Sequence, residues 1–264
     1  MKYSDLLMRW LTELGYTHCF FVAGGNSMHL LDGARQTMTC IPFAHEVAAG
    51  IAVEYFNERA RAADIDTRAF ALVTAGPGLT NILTAMAGAY LESRDLLVLG
   101  GQVKSSDLAG PSLRQRGIQE IDGLAMASPV AVSASRIEAP VDRRTFAEWV
   151  SAGTSGRPGP VFIEICLDAQ AAPVDVAALE VAAVASPTSP TSPGFPTEEV
   201  AALLRNARRP LLLLGGGVGR QAVRAALPRL HELAFHYRRP PHQLCNRPGA
   251  RARFALRGVE LRFQ

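Results

Sequence analysis

The chain of 264 residues is 48% apolar and 19% charged, a composition typical of folded globular proteins that excludes a disordered one. It has no apolar run long enough to cross a bilayer and no signal-peptide pattern, so we expect a cytoplasmic protein without membrane contact. The net charge of +3 is uneven, because residues 235–264 hold seven arginines and one acid (7 − 1 = +6) and the first 234 residues therefore carry −3. The basic tail could bind phosphate backbones, but it has no aromatic interleaving or recognisable motif and the body is acidic, so we expect no nucleic-acid partner.

Strand-like and helix-like segments alternate along the first 165 residues. The predicted helices show apolar side chains at helical spacing and cover residues 4–14, 26–34, 45–61, 79–91 and 141–152. The predicted strands are short apolar runs, at residues 18–22, 39–43, 68–74, 96–101, 130–132 and 160–165. This alternation predicts an α/β domain with a mostly parallel sheet and helices on both faces.

Three notable features follow predicted strands: Gly24-Gly25, His45-Glu46 and Gly76-Pro77-Gly78. Ligands of parallel sheets gather at the carboxyl ends of the strands, so the three features predict a site there. Two of them have a simpler alternative. Glu46 is also a good partner for a helix dipole, and the second glycine pair also suits a plain tight turn.

Other kinds of site are less well supported. Residues 76–81 lack the Gly-Lys-Ser/Thr of a phosphate loop and the spacing of a dinucleotide fingerprint. The four cysteines show no CxxC spacing, and no carboxylate cluster suggests a metal site. We therefore expect no metal ligand in this chain.

An ordered set of motifs resembles the thiamine-diphosphate enzymes of the acetolactate synthase type. The set is Gly24-Gly25, His45-Glu46, the run from Thr74 to Asn81, Gly100-Gly101-Gln102, Gln119-Glu120-Ile121-Asp122 and the run from Gly156 to Val161. The resemblance covers residues 1–170 and implies the pyrimidine-binding domain of that family.

In that family, the residue matching Glu46 hydrogen-bonds the aminopyrimidine ring and so promotes deprotonation of the thiazolium carbon, which attacks a 2-keto acid such as pyruvate. The resemblance therefore implies a catalytic role for Glu46 in a poorly hydrated pocket. It also implies that Gln119 contacts substrate and that Gly25 faces the reacting end. The residues that would line the pyrimidine are Gly76, Pro77, Gly78 and Asn81.

Some positions depart from the family pattern. Ala23, Ala44 and Ile118 stand where many relatives have proline, a charged residue and phenylalanine. These positions adjoin the substrate end, so the particular 2-keto acid and its pathway stay open.

Residues 171–196 are predicted to be an extended linker, because their Pro/Ser/Thr-rich composition cannot form a packed core. Residues 197–234 resemble the start of the family's middle domain, with a helix from Thr197, a strand at 210–214, a glycine-rich turn at 215–219 and a helix at 221–233. In some relatives this domain binds FAD. A dinucleotide site is the weaker alternative here, since the acid expected about 20 residues after the glycines is missing.

Residues 235–264 form an irregular basic tail. The chain has 25 arginines but only two lysines, which suggests a GC-rich gene, and such genes read out of frame yield arginine, proline and alanine. We hypothesise a frameshift near residue 234, with a native tail as the alternative.

The family holds magnesium and the diphosphate through a Gly-Asp-Gly motif in a third domain, and this sequence contains no Gly-Asp-Gly. We therefore expect the chain to supply the pyrimidine-activating half of a site. It would act in a homo-oligomer or with a partner chain that carries the diphosphate-binding residues, and alone it should bind the cofactor weakly and turn over no pyruvate. The alternative is a non-catalytic fragment or subunit.

Overall fold

The short apolar runs of the first 166 residues assemble into one sheet in the computed structural model. The structure describes residues 1–110, 113–180, 196–207, 212–213, 223, 225–229 and 237–238. The chain divides into two compact units, Met1–Ser186 and Pro187–Gln264.

All six strands of the first unit run parallel. The strands are β1 Tyr16–Phe21, β2 Thr39–Pro42, β3 Arg68–Val73, β4 Leu96–Gln102, β5 Ser133–Ile137 and β6 Pro160–Cys166. Their order in the sheet is β2-β1-β3-β4-β6-β5. Strands β4 and β6 are buried along their whole length, as strands covered on both faces must be. The predicted α/β class with a parallel sheet is confirmed.

Helices cover both faces of this sheet, with a separate apolar core under each. The helices are α1 Tyr3–Glu13, α2 Met28–Thr37, α3 Glu46–Ala63, α4 Pro77–Leu91, α5 Gly123–Ala127, α6 Arg143–Ala152, α7 Leu167–Ala171 and α8 Val176–Leu179. The core on one face includes Trp10 of α1, Leu30 of α2 and Phe146 of α6. The core on the other face includes Val53 of α3 and Leu79 of α4.

The predicted strand at residues 130–132 is wrong. Ser128–Val130 is a turn of 3-10 helix and the strand β5 begins at Ser133. Pro129 lies inside that turn, where its fixed φ suits a helical turn. Strand β5 lies at the edge of the sheet and is only partly buried, so its residues include serine and arginine and lack the apolar run that identifies a central strand.

Residues 171–180, which the sequence assigns to a linker, are ordered against the first unit. Val174, Val176 and Leu179 pack against the core that contains Trp10. The Glu180 carboxylate accepts hydrogen bonds from Trp10 Nε1 at 2.9 Å and from Arg143 at 3.0 Å. The first unit accordingly extends beyond residue 170.

The described part of the second unit is small. Helix α9 (Thr197–Asn206) begins at the predicted threonine, and β7 (Leu212–Leu213) pairs in parallel with β8 (Tyr237–Arg238). The sequence pattern gave no sign of β8. The glycine-rich turn at 215–219 and most of the basic tail lie outside the described residues, so the middle domain stays a prediction.

Candidate active site at the carboxyl edge of the sheet

The carboxyl ends of β1, β2 and β3 bring the three predicted features to one edge of the sheet, since these strands are parallel neighbours. The turn after β1 packs closely on the end of β3. A side chain at Gly24 would overlap the Thr74 side chain, and Asn26 N–H donates to Thr74 Oγ1 at 3.2 Å. Glycine at position 24 is therefore required by the close approach of the two turns.

Glu46 is the first residue of α3 and is only 7% exposed. His45 is the N-cap residue of the helix: its Nδ1 accepts a hydrogen bond from Val47 N–H at 3.2 Å. Capping accounts for this histidine without a proton-transfer role.

The two oxygens of the Glu46 carboxyl group have different surroundings. Asn81 Nδ2 donates to Oε2 at 2.8 Å. Oε1 faces Gly78, where an added Cβ would lie 3.3 Å from it, and no donor from residues 1–110 or 113–180 bonds to it. The carboxyl group is thus fixed by one oxygen and keeps the other for a further partner.

Gly76 and Pro77 form the turn from β3 into α4. Gly76 has φ +68°, a left-handed conformation that favours glycine, and Pro77 occupies the first helical turn, where its missing N–H costs nothing. An added Cβ on Gly76 would lie 2.7 Å from the carbonyl oxygen of Gln119. The turn therefore has a structural reason for glycine, in addition to any role in lining a ligand.

The remaining predicted residues lie beside this centre. Gln119 is exposed and left-handed, with φ +60°, and its backbone contacts Gly76. Gly25 opens a 3-10 turn and faces open space, with no atom within 4 Å of an added Cβ. The structure thus joins Glu46 to Gly78 and Asn81, and Gln119 to Gly76, and it places Gly25 in the neighbouring turn.

A buried polar network under this edge was not predicted. Glu164 on β6 is fully buried and accepts from Gln102 Nε2 at 2.7 Å and from Arg136 Nε at 2.6 Å. Burial raises the pKa of the Glu164 carboxyl group, against the opposing effect of Arg136 and Gln102. In the sequence, the single glutamate inside the apolar run of residues 160–165 was the feature that could have indicated this network.

The loop that carries Gln119 contains a second residue that sequence reasoning missed. The Glu120 carboxylate accepts hydrogen bonds from three backbone N–H groups, of Ala109, Arg116 and Gly117. Burial tends to raise the pKa of this group, and the three N–H donors together lower it below its usual value.

No helix among the described residues is long and apolar enough to cross a membrane. Within the same residues, no three His, Cys, Asp or Glu side chains lie together as a metal-binding group would require.

The class of protein is indicated by comparison with known protein families. Residues 1–126 match the family described as "Thiamine pyrophosphate enzyme, N-terminal TPP binding domain". Together with the parallel α/β sheet, this match supports assignment of residues 1–126 to the N-terminal TPP binding domain of the thiamine pyrophosphate enzymes.

The curated relatives that the chain resembles are acetolactate synthases. The chain is 29% identical to the probable acetolactate synthase large subunit of Methanocaldococcus jannaschii, over 88% of this chain and 39% of the relative. It is 30% identical to the acetolactate synthase large subunit of Lactococcus lactis (81% and 36%) and to the acetolactate synthase isozyme 2 large subunit of Escherichia coli (88% and 40%). The chain thus spans about two fifths of the length of these relatives.

Proposed function

We propose that the carboxyl edge of this sheet is the pyrimidine-binding half of a thiamine-diphosphate site that serves decarboxylation and carboligation of 2-keto acids such as pyruvate. One observation carries the proposal: Glu46 is buried, Asn81 holds one of its oxygens, and the other oxygen has no donor among residues 1–110 and 113–180. This arrangement fits a ligand that presents a ring nitrogen able to share a proton. When bound, thiamine diphosphate supplies the carbon nucleophile that attacks the keto group.

The chain's own residues would orient this ligand and hold a proton. Glu46 Oε1 would share a proton with the ring nitrogen, and Asn81 keeps the carboxyl group from rotating. Gly78 leaves the space beside Oε1 free of side chain. Gly76 and Pro77 would form the wall of the same pocket.

The substrate would meet the exposed end of the site. Gly25 borders open space, so a keto acid could approach the backbone there. The Gln119 side-chain amide would donate a hydrogen bond to the substrate. Magnesium and the diphosphate would be held by a partner chain that carries the Gly-Asp-Gly motif, because this sequence contains none. An FAD site would fall at the glycine-rich turn of 215–219, which also lies outside the described residues.

The test combines the full chain, thiamine diphosphate and Mg²⁺ with a chain that carries a Gly-Asp-Gly motif, and measures pyruvate consumption. We expect no turnover by the chain alone, and turnover in the mixture that Glu46→Gln lowers by about 10²- to 10⁴-fold, the usual contribution of a positioned proton-transfer group. Equal turnover by Glu46→Gln would overturn the role of Glu46. Failure of every mixture would favour the non-catalytic alternative.

A further inference from the structure

The loop between β4 and α5 contains a carboxylate that the proposed reaction does not use. Glu120 is 9% exposed, although both residues before it, Ile118 and Gln119, are exposed. Its Oε1 accepts from Ala109 N–H, and its Oε2 accepts from Arg116 N–H at 2.8 Å and Gly117 N–H at 2.9 Å. One carboxylate therefore joins the two arms of the loop. The first arm, which leaves β4, contains Ala109, and the second, which leads to α5, contains Arg116 and Gly117.

The bonds to Glu120 close a small ring around Gln119. The Glu120 backbone N–H donates to the Gly117 carbonyl at 3.3 Å, while the Glu120 carboxylate accepts from the Gly117 N–H. Between these two residues Gln119 adopts φ +60°, a conformation that non-glycine residues keep only when their surroundings impose it. The ring and the contact with Gly76 are the surroundings that impose it here.

The chain after Glu120 is fixed to the sheet. Gln102 Nε2 on β4 donates to the Ile121 carbonyl at 3.0 Å and to Glu164 at 2.7 Å. Arg136 bonds both Glu164 and Asp122, the latter at 2.9 Å. With this end of the loop held, the bonds to the Glu120 carboxylate decide where the preceding turn lies.

A proton-transfer role for Glu120 itself does not fit. Both of its oxygens are already occupied by backbone donors, and these donors lower the pKa of the carboxyl group. It stays ionised near neutral pH and has no oxygen left for a substrate.

We propose that Glu120 is a positioning residue, whose carboxylate holds the turn of residues 117–120 so that the Gln119 side chain stands beside Gly76 at the substrate end of the site. This inference rests on the proposed role of Gln119 as the contact to the 2-keto acid. It extends that role to a residue that does not touch the substrate.

The first experiment measures backbone hydrogen exchange by NMR in the full chain, without cofactor. Glu120→Gln keeps one acceptor oxygen and cannot serve both arms of the loop. We expect exchange to rise at least tenfold in the arm that loses its acceptor, which is either Ala109 or Arg116 with Gly117, with the β3 and β4 amides unchanged. Glu148→Gln, an exposed change on α6, is the control and should alter none of these amides. Unchanged exchange at all three loop amides would overturn the proposal.

If Glu120→Gln does not fold, Glu120→Asp replaces it. Aspartate keeps the charge but is one methylene shorter and cannot reach both arms at once. The same amides should then exchange faster, and normal protection in this variant would count against the proposal in the same way.

The second experiment measures the KM for pyruvate and kcat in the mixture described for the proposed function. We expect Glu120→Gln to raise the KM at least fivefold with little change in kcat, whereas mere loss of folded protein would lower kcat and leave the KM unchanged. Because Glu120 acts through Gln119, the double variant with Gln119→Ala should be no worse than Gln119→Ala alone. Additive effects, or an unchanged KM, would overturn the positioning role. Absence of turnover in the wild type would refute the proposed function, and the exchange experiment would still decide whether Glu120 holds the turn.

Discussion

The Glu46 side chain is shielded from water by its position at the start of α3 and by the side-chain amide of Asn81. The family resemblance implies a poorly hydrated pocket around this residue, and its apolar neighbours Phe43 and Val47 agree with that. The structure confirms low exposure, at 7%, but the atoms next to the carboxyl group belong to Asn81 and Gly78 on α4. Thirty-five residues separate Glu46 from Asn81, so their hydrogen bond could not be derived from local sequence.

Two glycines of the α4 segment should respond to alanine in opposite ways. Gly76→Ala forces a side chain into a left-handed residue and against the Gln119 carbonyl, so we expect a loss of more than about 1 kcal/mol in the free energy of unfolding. Gly88 lies inside the helix with open space around it, and Gly88→Ala should stabilise by about 0.5–1 kcal/mol. Urea denaturation measures the free energy of unfolding of both variants. A Gly76→Ala variant as stable as the wild type would contradict the left-handed conformation assigned to Gly76.

Acid should weaken the fold partly through Glu120. The folded-state pKa of this group lies below its ordinary value of 4.5, so its stabilising contribution is present above about pH 4.5 and is lost as the pH falls through the folded-state pKa. We expect the free energy of unfolding to fall less between pH 5 and pH 3 in Glu120→Gln than in the wild type. Urea denaturation between pH 5 and pH 3 tests this prediction. An equal fall in the free energy of unfolding in the two proteins would count against the three N–H contacts of the Glu120 carboxylate.

Among the elements, the central strands and long helices follow closely from the sequence and the edge strand does not. Strands β3, β4 and β6 are mostly apolar runs, and their predicted limits differ by one residue from those observed. Strand β5 is held by its pairing with β6, in which Arg136 lies opposite Glu164. This pairing joins residues that are 28 positions apart, so the local pattern of apolar residues does not predict it.

Pairing of β5 with β6 should depend on Arg136. Removing this side chain leaves the fully buried Glu164 with Gln102 as its remaining partner among the described residues, and breaking a buried ion pair in this way costs about 3–5 kcal/mol. We therefore expect Arg136→Met to lower the free energy of unfolding by that amount in urea denaturation. Arg144→Met removes an exposed pair with Glu148 and should lower the free energy of unfolding far less. Equal losses in the two variants would mean that the buried pair of Arg136 and Glu164 stabilises the fold no more than an exposed ion pair does.

For the whole molecule, the order of the strands determines where the chemistry lies. Because β2, β1, β3 and β4 are parallel neighbours, the turns that follow them share one edge, and residues from 25 to 119 meet there. The alternation of strands and helices predicts this convergence. It does not predict the loop conformation of residues 117–120, which depends on hydrogen bonds of a single carboxylate.

The most direct test of this account is an NMR titration of the full, ¹⁵N-labelled chain with thiamine diphosphate and Mg²⁺, which detects binding even when it is weak. The backbone amides of Glu46, Gly78 and Asn81 should shift together and saturate, and Glu46→Gln should abolish those shifts. Glu58→Gln, the same change near the other end of α3, should preserve them. Shifts confined to another part of the chain, or unaltered in Glu46→Gln, would contradict the assignment of this edge as the pyrimidine site.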